Sequence, residues 1–290
     1  MAKGAGRSFA LLVGVGAGLE LTGTAVACLG LDTVAQCYWA WLPGAGLPPP
    51  VCARAIAGVG FHLFVPVALL IALVCGSAVL GALHAIRLKR RAARVSSLLG
   101  PALPELPDEL TAAAIRANAS CLELRRDGEP YAVCIGMLKP RLVISTGLVR
   151  LLTDDELVAV LVHEERHRRR RAPLRQLVAR TTVRAMFFLP VLRDLLDAHL
   201  LAEEVVADRE AAALAGRRVL VVALEKLSTS VSIEGAAAIA DVSPMSARLR
   251  VLATGSRVPI GLRPLHVVAS ASCLVVLSLI VLWMPLAVLP

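Results

Sequence analysis

Five residues, His163-Glu164-Glu165-Arg166-His167 in the run LTDDELVAVLVHEERHRRRR, constrain this 290-residue chain more than any other feature. Thr153 and Glu156 stand in S/T-x-x-E spacing, the reciprocal cap of a helix that starts near Asp154. Leu157, Val158, Leu161 and Val162 then recur at helical period, so both histidines fall on that helix. Four residues of α-helix turn the chain by about 400° and advance it about 6 Å, so the two imidazoles share one face, one turn apart. At that spacing two ring nitrogens can reach one zinc ion, with Glu164 placed to take a proton from a water beside it.

Two histidines beside arginines can also be solvated surface, and a second stretch decides between the readings. Glu204-Val205-Val206-Ala207-Asp208 lies on a later helix predicted over 193–214. It offers Glu204 as a third ligand and Asp208 one turn further on the same face. Three protein ligands that leave a place for water are the arrangement of a catalytic rather than a structural zinc site. His163, His167 and Glu204 are therefore the candidate ligands, one Zn2+ per chain. Glu164 is the candidate catalytic base, and Asp208 the acceptor for a ligand imidazole N–H. Glu203 is the rival to Glu204, about 100° away around the helix. Glu165 points off the ligand face in the same way and reads as surface. No C-x-x-C pair occurs, so zinc held by cysteines has no support.

The composition, 57% hydrophobic, is too apolar for a wholly soluble chain. A helix crosses the hydrocarbon core with about 20 mostly apolar residues, and three stretches reach that length: about 8–31, about 60–86 and 266–289. The first, carrying Ala25-Val26-Ala27, reads as a retained anchor, with a cleavable signal peptide as the alternative. Glu20 within it calls for another helix or water beside it. Lys3 and Arg7 precede the first stretch, Arg87, Lys89, Arg90, Arg91 and Arg94 follow the second, and Arg257 and Arg263 precede the third. The positive-inside rule then puts the N-terminus and the central region in the cytoplasm and the C-terminus outside. The net charge of +9 fits anionic lipid headgroups, and no nucleic-acid motif accompanies it. Cys37 and Cys52 fall in the external loop, where oxidation could pair them; Cys121 and Cys134 fall on the reducing side.

Residues 1–95 thus read as a membrane region with two spans, 96–262 as the peptidase domain and 266–289 as a third span. Leu98 to Pro107 reads as a linker. Residues 108–118 read as a helix, and 121–125, 131–135 and 141–145 as strands. A strand bordering the cleft could take an extended substrate onto the sheet edge. The arginines at 168–171 read as contacts to lipid phosphate or solvent, and Ala172-Pro173 as the end or bend of the histidine helix. Residues 174–190 read as an amphipathic helix against the membrane, with 185–192 able to dip in. Further helices are expected at 219–227 and 246–252.

The segment YAVCIGMLKPRLVISTGLVRLLTDDELVAVLVHEERH resembles the integral-membrane zinc peptidases of the β-lactam-sensor (antirepressor) family. More distantly, it is similar to the CAAX prenyl endopeptidase and heat-shock membrane protease family. In both, a strand with a G-x-x-x-P-x-I/V pattern precedes the H-E-x-x-H helix, and an E-x-x-x-D helix follows, matched here by Glu204 and Asp208. Pro190 and Arg248-Leu249 also look like family features. The resemblance covers about residues 100–255. It implies a gluzincin-like domain, zinc, and endopeptidase activity at the cytoplasmic face, with the same roles for His163, His167, Glu204, Glu164 and Asp208. Two departures stand out. Ala172 occupies a position where the family often has aspartate, and the chain ends just beyond the third stretch, where the family's penicillin-binding sensor domain would follow.

The fold expected is therefore a mainly α membrane protein. It has about three transmembrane helices and a cytoplasmic α+β gluzincin-like zinc peptidase domain with a small β-sheet. The function expected is hydrolysis of peptide bonds in a protein or peptide substrate, with regulatory cleavage of a repressor as one form. A broad-specificity membrane quality-control protease and a non-catalytic membrane scaffold are the alternatives.

Overall fold

The computed structural model describes Gly14, residues 60–230, Arg248, Val251 and residues 261–286. Apart from Gly14, the first apolar stretch lies outside the described residues, as do the external loop, Cys37 and Cys52. The elements are α1 (Gly60–Leu98), β1 (Ala102–Leu103), α2 (Asp108–Ala117), β2 (Leu122–Arg125), β3 (Ala132–Ile135) and β4 (Arg141–Ser145). Then follow α3 (Thr146–Leu151), α4 (Asp154–Arg169), α5 (Ala172–Ala185), α6 (Val191–Ala215), α7 (Arg217–Ser230) and α8 (Pro264–Leu286). The architecture is mostly helical with one small mixed sheet.

The described chain divides into two compact units. In the first, which contains Ala85–Arg180 and Leu195–Gly261, the sheet runs β1-β2-β4-β3. β1 and β2 are antiparallel, β2 and β4 parallel, and β3 and β4 antiparallel. The register Leu122↔Leu142↔Cys134 and Leu124↔Ile144↔Ala132 puts these six side chains on one face. Leu124 and Ile144, 1% and 0% exposed, join the core there with Leu110 of α2, Leu157 and Leu161 of α4, and Leu220 of α7. Fully burying each such side chain is worth about 1.5–3 kcal/mol, so the histidine helix is set into the centre of the domain.

Local chemistry places α4. The Thr153–Glu156 capping box forms in full, with Glu156 accepting the Thr153 N–H at 2.9 Å. Just ahead of it, Ser145 at the end of β4 caps α3 by accepting the Leu148 N–H at 3.0 Å. Gly147 follows because a Cβ there would overlap the Gly128 carbonyl, while its N–H donates to Asp127 at 2.8 Å. α4 stops at Arg170, Arg171 turns to φ 50°, and Pro173 sits in the first turn of α5, where its missing N–H costs nothing.

β1 falls inside the segment read as a linker, so that reading is corrected. The strand forms because β2 offers partners, Ala102 facing Arg125 and Leu103 facing Leu124, and the Arg126 N–H donates to Pro101. α3 likewise stands as a separate short helix between β4 and α4.

In the second unit, Asp194 near the start of α6 is 4% exposed, accepts the Arg263 N–H at 2.9 Å and lies 2.9 Å from His266 Nδ1. The Val191 N–H in turn donates to Ser270 of α8 at 3.1 Å. Each helix thus supplies a side chain to the start of the other. One described helix is long and apolar enough to cross a membrane, over Ala68–Leu98; the apolar part of α8, Pro264–Ile280, is shorter.

Glu156 also receives Lys226 of α7 at 2.7 Å. Burial pushes its carboxyl up, but the Lys226 and Thr153 hydrogen bonds outweigh that and hold it below the usual carboxylate value. A depressed carboxylate stabilises the fold above its unfolded pKa of about 4.3 and loses that stabilisation as pH falls through the lower folded value. Glu156→Gln keeps the capping box and removes the charge. It should cost about 1 kcal/mol at neutral pH, the partial exposure of Lys226 limiting the pair. The gap between the two unfolding curves should close in acid; a constant gap would show that the charge contributes nothing.

Candidate metal centre

α4 and α6 bring the predicted ligands together. His163 Nε2 and His167 Nε2 are 3.0 Å apart, and the two oxygens of Glu204 lie 3.5 Å from the first and 3.4 Å from the second. Nitrogen and oxygen ligands held tetrahedrally at about 2.0–2.1 Å from zinc are about 3.3–3.4 Å from one another. Two imidazole nitrogens and a carboxylate thus stand near the mutual spacing that one ion requires, all within 4.8 Å. Both histidines are 8% exposed, so they are screened from bulk water. The donor set fits zinc.

Electrostatics point the same way. Asp208 is fully buried, and Arg248 donates to both its oxygens, Nε to Oδ2 at 2.9 Å and Nη2 to Oδ1 at 2.6 Å. A third nitrogen of Arg248 lies 3.3 Å from Glu204. Asp208 Oδ1 is also 3.0 Å from His163 Nδ1, at ion-pair distance but without the alignment of a hydrogen bond. Glu204 and Asp208 therefore place two carboxyl groups on one guanidinium, with the Glu164 carboxyl near enough to feel its charge. Buried charges need partners or a metal, and a divalent cation would complete this balance.

The ionisation of each group follows from its neighbours. Burial pushes the Glu164 carboxyl up to about 7, His163 opposing and Glu204 adding. Burial also raises the other two carboxyls, but His163 chiefly, with Arg248, holds both Glu204 and Asp208 below the usual range. In the imidazole pair, burial disfavours charge on both rings; Asp208 and Glu204 nevertheless raise His163, while cationic His163 depresses His167 further. Positive charge is therefore less disfavoured on His163, the ring that faces Asp208, than on His167.

Glu164 reaches the sheet. The Ser145 N–H donates to the Tyr131 carbonyl at 3.0 Å. By the alternation of an antiparallel ladder, Val133 and Ile135 then bond to β4, while Ala132 and Cys134 aim their backbone groups away from it. β3 is an edge strand, and the Cys134 amide on its outer side lies near enough to the Glu164 carboxyl to lower it. Among the described residues, the candidate base therefore sits beside an edge strand.

Several residues part from their sequence reading. Glu165 is not surface: it is 3% exposed, receives two 2.7 Å hydrogen bonds from Arg168 and accepts the Ser120 N–H at 3.3 Å. Arg168 is thereby held by protein rather than by lipid or solvent, and Arg169 reaches Glu210 at 3.3 Å. Glu203, the rival ligand, pairs with Arg175 of α5 at 3.2 Å. Arg248 is the residue whose role the sequence did not disclose, beyond its place in a family-like pair.

A mostly helical domain with a small mixed sheet, and a His-His-Glu donor set at the spacing of one ion, is the class of arrangement a metallopeptidase uses. Residues 104–235 match the family model of peptidase family M48, whose members are zinc metallopeptidases; the match supports a metallopeptidase and spans the histidine helix and α6. No curated protein and no solved structure matches the chain.

Removing the guanidinium should leave Asp208 buried and uncompensated, so Arg248→Met is expected to cost about 3–5 kcal/mol. Arg248→Lys keeps the charge but not the two-pronged fit and should cost less. Chemical unfolding of the full chain in detergent measures both, and wild-type stability in Arg248→Met would refute the clamp.

Proposed function

We propose that the chain is a membrane-embedded zinc endopeptidase that hydrolyses peptide bonds of a protein substrate at the cytoplasmic face. The observation that carries this reading is the convergence of His163, His167 and Glu204 beside Glu164. In this reading residues 1–95 and 266–289 form the membrane regions and 96–262 the peptidase domain. The apolar length of α1 and the basic residues that follow it support that arrangement.

His163, His167 and Glu204 would hold the ion, and Asp208, 3.0 Å behind His163 Nδ1, would favour the tautomer with its proton on that nitrogen. Zinc bound there supplies Lewis-acid polarisation of the scissile carbonyl and lowers the pKa of a water to about 7. Glu164, raised to about 7 itself, is poised to take the water's proton and return it to the leaving amine. The open edge of β3 takes the substrate backbone as an added strand, which leads the scissile bond past Glu164.

Recognition through backbone groups tolerates many sequences. That favours, as a second reading, a quality-control protease with the same chemistry and broad specificity, beside regulatory cleavage of one repressor.

Glu164→Gln should lower casein cleavage by about 10²–10⁴-fold while one zinc per chain remains by metal analysis. Ala at His163, His167 or Glu204 should lose the metal as well as the activity. Full activity in Glu164→Gln, or zinc retained in all three ligand variants, would overturn the assignment. Fragments that accumulate with wild type but not with Glu164→Gln, across many membrane proteins or in one repressor, decide between the two readings.

A further inference from the structure

Helix α1 has two unlike sides. Leu70 and Ser77 are 6% and 1% exposed, and Gly81 is buried where an added Cβ would meet Ala185 of α5 at 3.2 Å. At about 100° per residue these three positions lie within about 40° of one another. Leu69, Val79, Leu83 and Ile86 are all exposed and occupy a separate sector of about 100°. The basic run then begins at Arg87. Arg87, Arg90, Arg91 and Arg94 are exposed and also fall within about 100°, on the same side as the exposed apolar residues. Lys89 projects about 150° from the middle of that arginine face.

Two ordinary explanations for such a run fail. The helix dipole favours cations only within about the last turn, and the last turn of α1 contains none. Nor do these arginines serve ion pairs among the described residues, whereas Arg116, Arg141, Arg168, Arg169 and Arg175 each have a carboxylate. From Arg87 to Arg94 the helix rises about 10 Å, comparable with the roughly 5–8 Å of one headgroup layer once long side chains reach along it.

We propose that the arginine face of α1 binds the phosphates of anionic phospholipids, as a direct continuation of its lipid-covered apolar stripe. Exposed apolar side chains up to Ile86 meet acyl chains, and the guanidinium groups one to two turns later meet the phosphates, which they can grip with two hydrogen bonds each. This inference rests on the membrane reading above and names its lipid partner.

The test titrates phosphatidylglycerol, with phosphatidylcholine as reference, into the full chain in neutral detergent. Each arginine at an anionic surface is worth about fivefold in binding. Gln at Arg87, Arg90, Arg91 or Arg94 should weaken phosphatidylglycerol about fivefold each, and at all four by a hundredfold or more. Lys at all four should bind more tightly than Gln at all four but more weakly than wild type, since the charge remains and the two-pronged grip does not. Lys89→Gln should leave binding within about twofold. Wild-type binding in the fourfold Gln variant overturns the proposal. So does a Lys89→Gln loss equal to that of a single arginine, which would mean net charge rather than a face. Alkaline extraction separates this failure from a deeper one: wild type released from membranes at high pH overturns the membrane reading and this inference together.

Discussion

A carboxylate with no exposure holds the site together. Asp208 sits one helical turn after Glu204, and Arg248 touches both. Two like charges on one helix face repel; the shared guanidinium turns that repulsion into a clamp. Because Asp208 is satisfied only where Arg248 and the His163 ring meet, the rotation of α6 about its own axis is restricted, and Glu204 must face His163 and His167. A well-packed apolar substitute for such a pair is often at least as stable. The use of charges here is better explained by the orientation they impose than by the stability they add.

The opposite partner, α4, is tied at both ends by residues that are not ligands. Glu156 joins its first turn to Lys226 of α7. Near its last turns Glu165 takes Arg168 and the Ser120 amide, and Arg166 pairs with Glu210 of α6. The last contact runs directly between the two ligand-bearing helices. The letters between the ligands in H-E-x-x-H are therefore occupied with holding the two imidazoles in register, and a helix buried on nearly all sides has little freedom to move them apart.

That burial also explains which parts of the site were legible. Helical period assigns a residue to a side of its own helix, so the shared face of His163 and His167, and of Glu204 and Asp208, could be read from spacing. Period does not report what covers the other sides, and Glu165, correctly placed off the ligand face, lands against Ser120 rather than in water. β2, β3, β4 and α4 announced themselves through alternation, turn residues and a capping box. β1 did not, since two residues in a proline-rich stretch become a strand only because β2 lies beside them. Arg248 is less legible still: forty residues after Asp208, it belongs to no periodic pattern that links it to a buried acid. For α1, hydropathy marked about 60–86 whereas the helix runs on to Leu98. Apolar composition reports where lipid can lie, and backbone hydrogen bonding continues as long as no breaker intervenes.

The position of Glu164 resolves a conflict inherent in an open strand edge. An edge strand displays unpaired amides and carbonyls that invite other chains, and proteins ordinarily cover or shorten it. β3 is only four residues long, and the outward amide of Cys134 faces Glu164. Burial raises the Glu164 carboxyl; His163 chiefly, then Arg248 and last the Cys134 amide, oppose it. A short edge strand with a carboxyl beside its outward amide offers little to other chains while leaving the candidate base next to the sheet.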